Sequence, residues 1–379
     1  MAYTFLQPSE ILFGHDQSAK TLDVARRFGS RIFLVTGGRS FEALAVAKLL
    51  FGLPRWSVSG EPDVASVDEA VRQCREAGAD VVVAVGGGSA LDAAKAVAGM
   101  VPQDGSVRDY LEQVGDRKLT KPPLPFVAVP TTAGSGSEAT KNAVIRVPDL
   151  QVKRSLRHDL LIPRVAIVDP DLSAAAPRPV AASAGLDAFT HLLEGYVSSG
   201  ATPMTDALAL PGIRKAAGGL RTLAEGKPTA DSQEAMALAS LWGGIVLANA
   251  GLGAVHGLVA PLGGRCSIPH GIGCACLLVE TMKANVAALR ARAPRSAALE
   301  RYEKVARRLS FETPEKLADG LASLRRLLGV GSLASYGVTK DDVAPIVKAS
   351  RGGSMKYNPI ELTDAELEGI VTASMAPSA

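Results

Sequence analysis

The sequence predicts an α/β domain with a parallel sheet over residues 1–178, followed by an all-α domain over residues 179–379. In the first half, short continuous apolar runs alternate with helical segments, which is the pattern of a parallel sheet covered on both faces. Beyond the interruptions at Pro177 and Pro179, strand-like runs become rare and helical patterns dominate. At 379 residues the chain is long enough for two domains.

The elements of the first domain follow in chain order. "RIFLVTGG" predicts a strand that ends in glycines, and "VASVDEAVRQCREAGAD" predicts a helix with Ser66 and Glu69 at capping-box spacing and Gly78 as its end. "DVVVAVGGGS" predicts a buried strand and "ALDAAKAVAGM" the helix after it, while "PFVAVPTTAGSGS" and "RVAIVDP" predict further strands. In the second domain, "ALASLWGGIVLANAG", "ARAPRSAALERYEKVARRL" and "TPEKLADGLASLRRLLG" predict helices.

Composition excludes several classes of function. The formal net charge is +3, from 41 basic and 38 acidic residues, and gives no reason to expect binding to nucleic acid or membranes. No apolar run reaches the roughly 18 to 20 residues of a membrane span, and the first residues lack the pattern of a signal peptide. The cysteines form no CxxC pair and no disulfide framework, which favours a reducing cytoplasm; they are Cys74, Cys266, Cys274 and Cys276.

Two glycine- and hydroxyl-rich loops indicate a nucleotide site. The first, Gly86 to Ser89, joins a predicted strand to a helix, where free backbone amides and the helix dipole favour a phosphate. Taken alone, this loop equally fits a tight turn. The second loop follows the next long apolar strand and carries Thr131, Thr132, Ser135 and Ser137. Together the loops predict a site for a diphosphate, and so for a dinucleotide.

A carboxylate and three histidines indicate a metal site in the second domain. Asp187 and His191 stand one helical turn apart on one face, and this pair fits either half of a metal site or a polar patch at a helix start. His256 and His270 lie in glycine-punctuated apolar segments. A single histidine in such a segment is usually a core residue, but three imidazoles and one carboxylate suit a divalent transition metal better than calcium or magnesium.

The motifs together resemble the iron-containing, or group III, alcohol dehydrogenases. The resemblance rests on "GGGSALDAAK", "PTTAGSGSEAT", "AIVDP", "GLDAFTHLLEGYVS" and "HGLVAPLGG" with "IPHG", and it runs from about residue 10 to "NPIELTDAEL". It implies the architecture shared with dehydroquinate synthase, in which a dinucleotide-binding α/β domain precedes a helical domain, and it implies a homodimer. It also implies Fe2+ or Zn2+ on Asp187, His191, His256 and His270, which would act in catalysis through the metal.

The resemblance assigns cofactor contacts as well. It implies contacts to NAD(P) from Gly86, Gly87, Gly88, Ser89, Thr131, Thr132, Ser135 and Lys153. Members that prefer NAD often have an acidic residue at the position of Gly37, where it binds the ribose 2′-hydroxyl. Glycine removes the repulsion of a 2′-phosphate, and Arg39 or Ser40 can hold that phosphate, so NADP(H) is expected to be accepted at least as well as NAD(H). The alternative is a plain glycine turn with Arg39 in solvent.

Two departures from the family bear on the substrate. Many relatives carry a further histidine where this chain has Ala260, so a proton relay through that position is not expected. Many also carry an aromatic residue where this chain has Arg265. With Lys356 in "GGSMKYNP", Arg265 suggests an anionic group on the substrate, because cations near a metal are costly to bury without an anion. The alternative is that both side chains point to solvent and that the substrate is a neutral short-chain compound.

The resemblance implies a metal-dependent, NAD(P)-linked alcohol dehydrogenase or aldehyde reductase. The metal would act as a Lewis acid on the substrate oxygen, and the nicotinamide would carry the hydride. One alternative is a lyase of the dehydroquinate synthase type, which also uses NAD and a metal. Another is a nucleotide-binding protein without turnover. Steady consumption of NAD(P)H with simple aldehydes separates the first hypothesis from both alternatives.

Overall fold

The computed structural model describes residues 2–38, 41–266 and 268–376. The chain divides into two compact units, one from Leu6 to Ala176 and one from Pro177 onward that also includes the residues before Leu6. This division lies next to the predicted boundary at residue 178. The assignment of the first residues to the helical unit is not a feature that the sequence predicts.

The first unit contains eight strands and five helices among its described residues. The strands are β1 (Glu10–Phe13), β2 (Ile32–Thr36), β3 (Arg55–Ser57), β4 (Val81–Gly86), β5 (Phe126–Pro130), β6 (Asn142–Val147), β7 (Val152–Arg157) and β8 (Val165–Val168). The helices are α1 (Thr21–Arg26), α2 (Ala45–Leu49), α3 (Val64–Glu76), α4 (Gly88–Met100) and α5 (Pro170–Ala174). Six strands form a parallel sheet in the order β1-β8-β5-β4-β2-β3, and β6 pairs with β7 in an antiparallel hairpin.

The parallel sheet is covered on both faces, as the continuous apolar runs predict. Along β4, Val81, Val83 and Val85 belong to one apolar cluster, whereas Val82 and Ala84 belong to another that includes residues of α3 and α4. Because successive side chains of a strand point to opposite faces, a strand buried on both sides needs apolar residues at every position. The prediction of an α/β unit with a parallel sheet is therefore confirmed.

Helix α3 begins at Val64, where the predicted helical segment begins, but its capping residue differs from the predicted one. Asp63 is the capping residue, and its carboxylate accepts a hydrogen bond from the Ser66 backbone amide at 2.8 Å. The Ser66 hydroxyl in turn accepts one from the Asp63 amide at 2.9 Å. The predicted capping box of Ser66 and Glu69 is therefore wrong. A carboxylate caps a helix as well as a hydroxyl does, and Asp63 stands three residues upstream.

The described residues of the second unit form nine helices, which confirms its all-α class. They are α6 (Arg178–Val197), α7 (Pro203–Ala224), α8 (Ala230–Ala250), α9 (Ala254–Arg265), α10 (His270–Arg292), α11 (Ala297–Arg308), α12 (Pro314–Leu327), α13 (Lys340–Ala349) and α14 (Asp364–Met375). By length and hydropathy alone, α10 would suffice to cross a membrane, as would α8 and α9 taken as one span bent by 99°. In α10, 72% of the most apolar window is buried within the fold, as in the core helix of a soluble protein.

A buried lysine ties α4 to the chain that follows β5. Lys95 is fully buried, and its ammonium donates to the Ser137 carbonyl at 2.9 Å, the Thr140 hydroxyl at 2.8 Å and the Asn142 carbonyl at 2.8 Å. Burial lowers the pKa of Lys95 to about 8, although Asp92 nearby opposes that shift. The lysine thus fixes the position of the second glycine-rich loop relative to α4.

Glu138 lies beside this lysine without a comparable set of contacts. It is 1% exposed, and among the described residues neither of its carboxylate oxygens has a hydrogen-bond partner. Burial raises the pKa of Glu138 to about 7, since a charged carboxylate without partners is poorly solvated there. The folded protein therefore holds a proton at Glu138 over a pH range in which the unfolded chain has lost it.

This difference predicts how stability depends on pH. As the pH rises from about 4.5 to about 7, the folded state binds more protons at Glu138 than the unfolded state, so the free energy of unfolding falls. Glu138→Gln carries no titrating proton and should gain stability relative to wild type over that range, by up to about 3 kcal/mol. The measurement is urea unfolding from pH 4.5 to 7.5, followed by Trp56 fluorescence in a Trp242→Phe background.

The exposed Glu76 provides the control for this experiment. In Glu76→Gln the free energy of unfolding should change with pH in the same way as in the background protein, because Glu76 is exposed. If the free energy of unfolding of Glu138→Gln also changes with pH in the same way as that of the background protein, the prediction is wrong.

Candidate active site

The two glycine-rich loops meet at the carboxyl edge of the parallel sheet. Strand β4 ends at Gly86, Gly87 precedes the first turn of α4, and Ser89 is the second residue of that helix. The Thr131 amide donates to the Gly86 carbonyl at 2.9 Å, which joins the second loop to the first. The Gly37 amide donates to the Val85 carbonyl at 3.1 Å and brings the end of β2 to the same edge.

Close backbone contacts explain why glycine occupies this loop. A Cβ atom at Gly88 would lie 2.9 Å from the side chain of Ser135, and one at Gly87 would lie 3.3 Å from that of Thr132. Both glycines are half-buried, so the start of α4 stays accessible. A helix start with free amides and neighbouring hydroxyls can bind a diphosphate.

Three further residues predicted to contact the cofactor are Lys153, Arg39 and Ser40. Lys153 lies on β7, is 7% exposed, and places its ammonium 2.6 Å from a carboxylate oxygen of Glu61. Its charge is therefore already paired, and its role toward a cofactor stays a prediction. Arg39 and Ser40 lie outside the described residues.

In the helical unit, three helices bring the predicted metal ligands together. Helix α6 carries Asp187 and His191, His256 lies in the first turn of α9, and His270 is the first residue of α10. One oxygen of Asp187, Oδ1, lies 3.7 Å from His191 Nε2, 3.5 Å from His256 Nε2 and 3.7 Å from His270 Nε2. One carboxylate oxygen thus faces three imidazole nitrogens that can all act as metal ligands.

The electrostatics of this cluster suit a cation. Asp187 is 5% exposed, and its Oδ1 has no hydrogen-bond partner among the described residues. Burial by itself would raise the pKa of Asp187, but His191, His270 and His256 together hold it below its usual range. The carboxylate is therefore charged at neutral pH. A buried anion ringed by ligand nitrogens fits a divalent transition metal.

Close helix packing makes this convergence possible. A Cβ atom at Gly271 would lie 2.3 Å from the Ser183 carbonyl oxygen, so only glycine lets the start of α10 lie directly on α6. A Cβ atom at Gly253 would lie 2.9 Å from Glu194 Oε1, so glycine is also needed where the chain enters α9. These contacts bring the His270 and His256 segments against the helix that carries Asp187.

Glu194 supports the cluster, and sequence reasoning missed it. Its carboxylate is 2.6 Å from His256 Nδ1, on the opposite side of the ring from Asp187, and it accepts a hydrogen bond from the Val255 amide at 2.7 Å. A carboxylate on one ring nitrogen fixes the tautomer that leaves the other nitrogen free to bind a metal. The available signal was its position three residues after His191, on the same helix.

Cys274 also escaped the sequence analysis. It follows His270 by one turn of α10, and its Sγ lies 3.6 Å from His256 Nε2 and 3.7 Å from His270 Nε2. The donor atoms of Asp187, His256, His270 and Cys274 all lie within 4.8 Å of one another. Burial raises the pKa of the Cys274 thiol to about 12. Cys274 follows His270 by four residues, as His191 follows Asp187, and this repeated spacing is the feature of the sequence that pointed to it.

The two cations proposed for the substrate are not equally placed. The Arg265 guanidinium lies 3.5 Å from a carboxylate oxygen of Asp342, with 37% of its side chain exposed. Lys356 is exposed, and its ammonium lies over the ring of Tyr357. The segment of Lys356 does return to α9, because Met355 packs beside Gly257. Among the described residues, the partner of Arg265 is Asp342 and that of Lys356 is Tyr357, and neither partner is a proposed metal ligand.

Models of one protein family match both units of the chain. The family model described as iron-containing alcohol dehydrogenase matches residues 8–170, and the model of the C-terminal domain of that family matches residues 181–375. Lactaldehyde reductase of Escherichia coli is 33% identical, and the alignment covers 93% of each chain. Long-chain-alcohol dehydrogenase 1 of Geobacillus thermodenitrificans is 42% identical over 59% of this chain, but the match spans only 56% of that protein.

A solved structure shows the same fold over the whole chain. It is the sulfoacetaldehyde reductase of Bifidobacterium kashiwanohense in complex with NAD+, which is 28% identical. It superposes with a TM-score of 0.86 and covers 99% of each chain.

The carboxylate behind His256 yields a prediction. Glu194→Gln offers one acceptor oxygen where the Val255 amide and the His256 ring both need one, so the ring should lose its fixed tautomer. The affinity of the protein for Zn2+ or Fe2+ should fall by about 10- to 100-fold. The measurement is competition for the metal with a chelator, with circular dichroism to confirm an intact fold.

The control is Glu280→Gln on α10, which removes a carboxylate paired with Lys283 and should leave metal affinity unchanged. Equal affinities of Glu194→Gln and wild type would refute the role of Glu194.

Proposed function

This chain belongs to the iron-containing alcohol dehydrogenase family and is an oxidoreductase of alcohols and aldehydes, and on that premise we propose that Asp187, His191, His256 and His270 bind its metal. The observation that carries the proposal is the buried Asp187 oxygen with three imidazole nitrogens at 3.5 to 3.7 Å. The metal supplies Lewis-acid polarisation of an alcohol or carbonyl oxygen, and NAD(P) supplies the hydride chemistry.

The chain's own residues bind and orient these groups. Glu194 holds the His256 ring through Nδ1 and keeps Nε2 directed at Asp187. The start of α4 and the hydroxyls of Thr131, Thr132 and Ser135 bind the diphosphate and nucleotide of the cofactor. Ala260 offers no titrating group one turn beyond His256, so a proton relay through an imidazole at that position is not available.

We propose a short aldehyde or alcohol with a polar neighbouring group as the substrate. Two relatives are named for such compounds, lactaldehyde and sulfoacetaldehyde. An anionic group on the substrate, suggested by Arg265 and Lys356, stays a prediction. Because the Arg265 guanidinium is already near Asp342, an anionic group of the substrate would have to compete with the Asp342 carboxylate for it.

A cytoplasmic homodimer stays a prediction as well. Its support is the family resemblance and the four free cysteines.

The experiment that tests this function removes one proposed ligand. His270→Ala should lose its bound metal, and kcat for aldehyde reduction should fall at least about 100-fold, because Lewis-acid polarisation contributes several kcal/mol. NADPH binding, followed by fluorescence titration, should stay near the wild-type value since the proposed cofactor residues belong to the other unit.

The control is His15→Ala, which removes an exposed histidine of the first unit and should keep both metal and activity. Full activity of the wild-type protein in the absence of bound metal would contradict the proposed metal site.

We also propose that NADP(H) is accepted at least as well as NAD(H), since Gly37 leaves room for a 2′-phosphate. Among the described residues, the one atom near a Cβ atom at Gly37 would be the Gly86 Cα at 3.9 Å, which leaves room for a side chain there. Gly37→Asp should lower kcat/KM for NADPH at least about tenfold relative to NADH, because the new carboxylate repels the phosphate. The neutral variant Gly37→Asn separates charge from size and should change this ratio much less.

A strong preference of the wild type for NADH would contradict this cofactor proposal. The same holds for Gly37→Asp if its ratio of the two kcat/KM values equals that of wild type.

A further inference from the structure

The candidate metal site contains a donor that the four-ligand proposal leaves unused. Cys274 is fully buried, and its recorded contacts are with the two imidazole nitrogens, His256 Nε2 at 3.6 Å and His270 Nε2 at 3.7 Å. These are the same nitrogens that face Asp187 Oδ1. The sulfur therefore adjoins the ligand atoms themselves and does not merely lie behind the rings.

We propose that Cys274 binds the metal directly through Sγ, and that this sulfur ligand increases the preference of the site for Zn2+ over Fe2+. The inference rests on the proposed metal site and deepens it. It assigns to one centre the ligands Asp187, His256, His270 and Cys274, with His191 beside Asp187 as a further nitrogen donor.

The distances agree with ligands of one small ion. In tetrahedral zinc sites the nitrogen lies about 2.0 Å and the sulfur about 2.3 Å from the metal, which separates the two donors by about 3.6 Å. The sulfur of Cys274 lies 3.6 and 3.7 Å from the two nitrogens. The Asp187 oxygen lies 3.5 and 3.7 Å from the same nitrogens, so little movement is needed to close the site on an ion.

The charges agree as well. Among the atoms bound directly to a divalent cation, one carboxylate and neutral imidazoles leave one positive charge, and the nearest further anion is the Glu194 carboxylate behind the His256 ring, 2.6 Å from Nδ1. When the Cys274 thiol binds, its proton passes to solvent and the thiolate forms a bond to the metal, with no change of oxidation state. One carboxylate and one thiolate then neutralise a divalent ion, which lowers the cost of burying it.

The neighbouring Cys276 shows what a purely structural cysteine does in this helix. It is buried on α10 like Cys274, but its thiol donates to the Gly331 carbonyl at 3.2 Å. Cys274 instead adjoins imidazole nitrogens. Since thiolate ligands favour zinc over harder ions, Cys274 adds to the preference for Zn2+ that carboxylate and imidazole ligands already have.

Extended X-ray absorption fine structure of the zinc-loaded full chain tests the ligand directly. Wild type and Cys276→Ala should both show sulfur at about 2.3 Å from zinc, and Cys274→Ala should show only nitrogen and oxygen. Chelator competition should give at least about tenfold weaker Zn2+ binding in Cys274→Ala, with a smaller change for Fe2+. Should Cys274→Ala fail to fold, Cys274→Ser and the wild-type spectrum still decide, because serine removes the sulfur at nearly constant size.

The outcomes separate this inference from the metal site on which it rests. Stoichiometric zinc with only nitrogen and oxygen neighbours in wild type overturns the role of Cys274 and leaves the other ligands standing. A sulfur signal that persists in Cys274→Ala overturns it too. Wild type that binds no zinc or iron overturns both proposals.

Discussion

The burial of one carboxylate constrains the helical unit more than any other feature. Asp187 lies in a largely apolar helix and is 5% exposed, and a charged carboxylate there is costly without positive charge or hydrogen bonds around it. Helices α6, α9 and α10 surround it with three imidazole nitrogens at 3.5 to 3.7 Å. Glu194 fixes one of those rings, and glycines at the helix starts allow the close approach. A cation among these groups would satisfy the carboxylate and the imidazole lone pairs together.

The first unit presents the opposite electrostatic environment. There the first backbone amides of α4 are flanked by threonine and serine hydroxyls, and this arrangement suits an anion. The buried ammonium of Lys95 holds the second loop in position, because it connects α4 to the end of that loop and to the chain after it. We therefore propose that each unit contains a binding site of its own, one for phosphate and one for a metal, built from different secondary structure.

Much of this arrangement was predictable because its signals are local. The strand-glycine-helix pattern around Gly86 and the one-turn spacing of Asp187 and His191 are both readable from short segments. Glu194 and Cys274 were not predicted, because a glutamate or cysteine one turn from a ligand looks like any other residue of a buried helix. The pairing of Arg265 with Asp342 joins distant parts of the chain and has no local signal. The β6–β7 hairpin was not predicted because burial alternates along β6 while the sequence does not: in "NAVIRV" the apolar residue Val144 is exposed between buried neighbours, which obscures the period of two.

The division of the chain also sets the order in which the protein is made. Nearly all of the α/β unit, Leu6 to Ala176, precedes the helical unit in the sequence. Because domains fold as units, N-terminal first, during synthesis, the α/β unit can form its nucleotide loops while most of the helical unit is still being synthesised. The few residues before Leu6 are the exception, since they group with the helical unit. They are therefore synthesised well before the part of the chain with which they group.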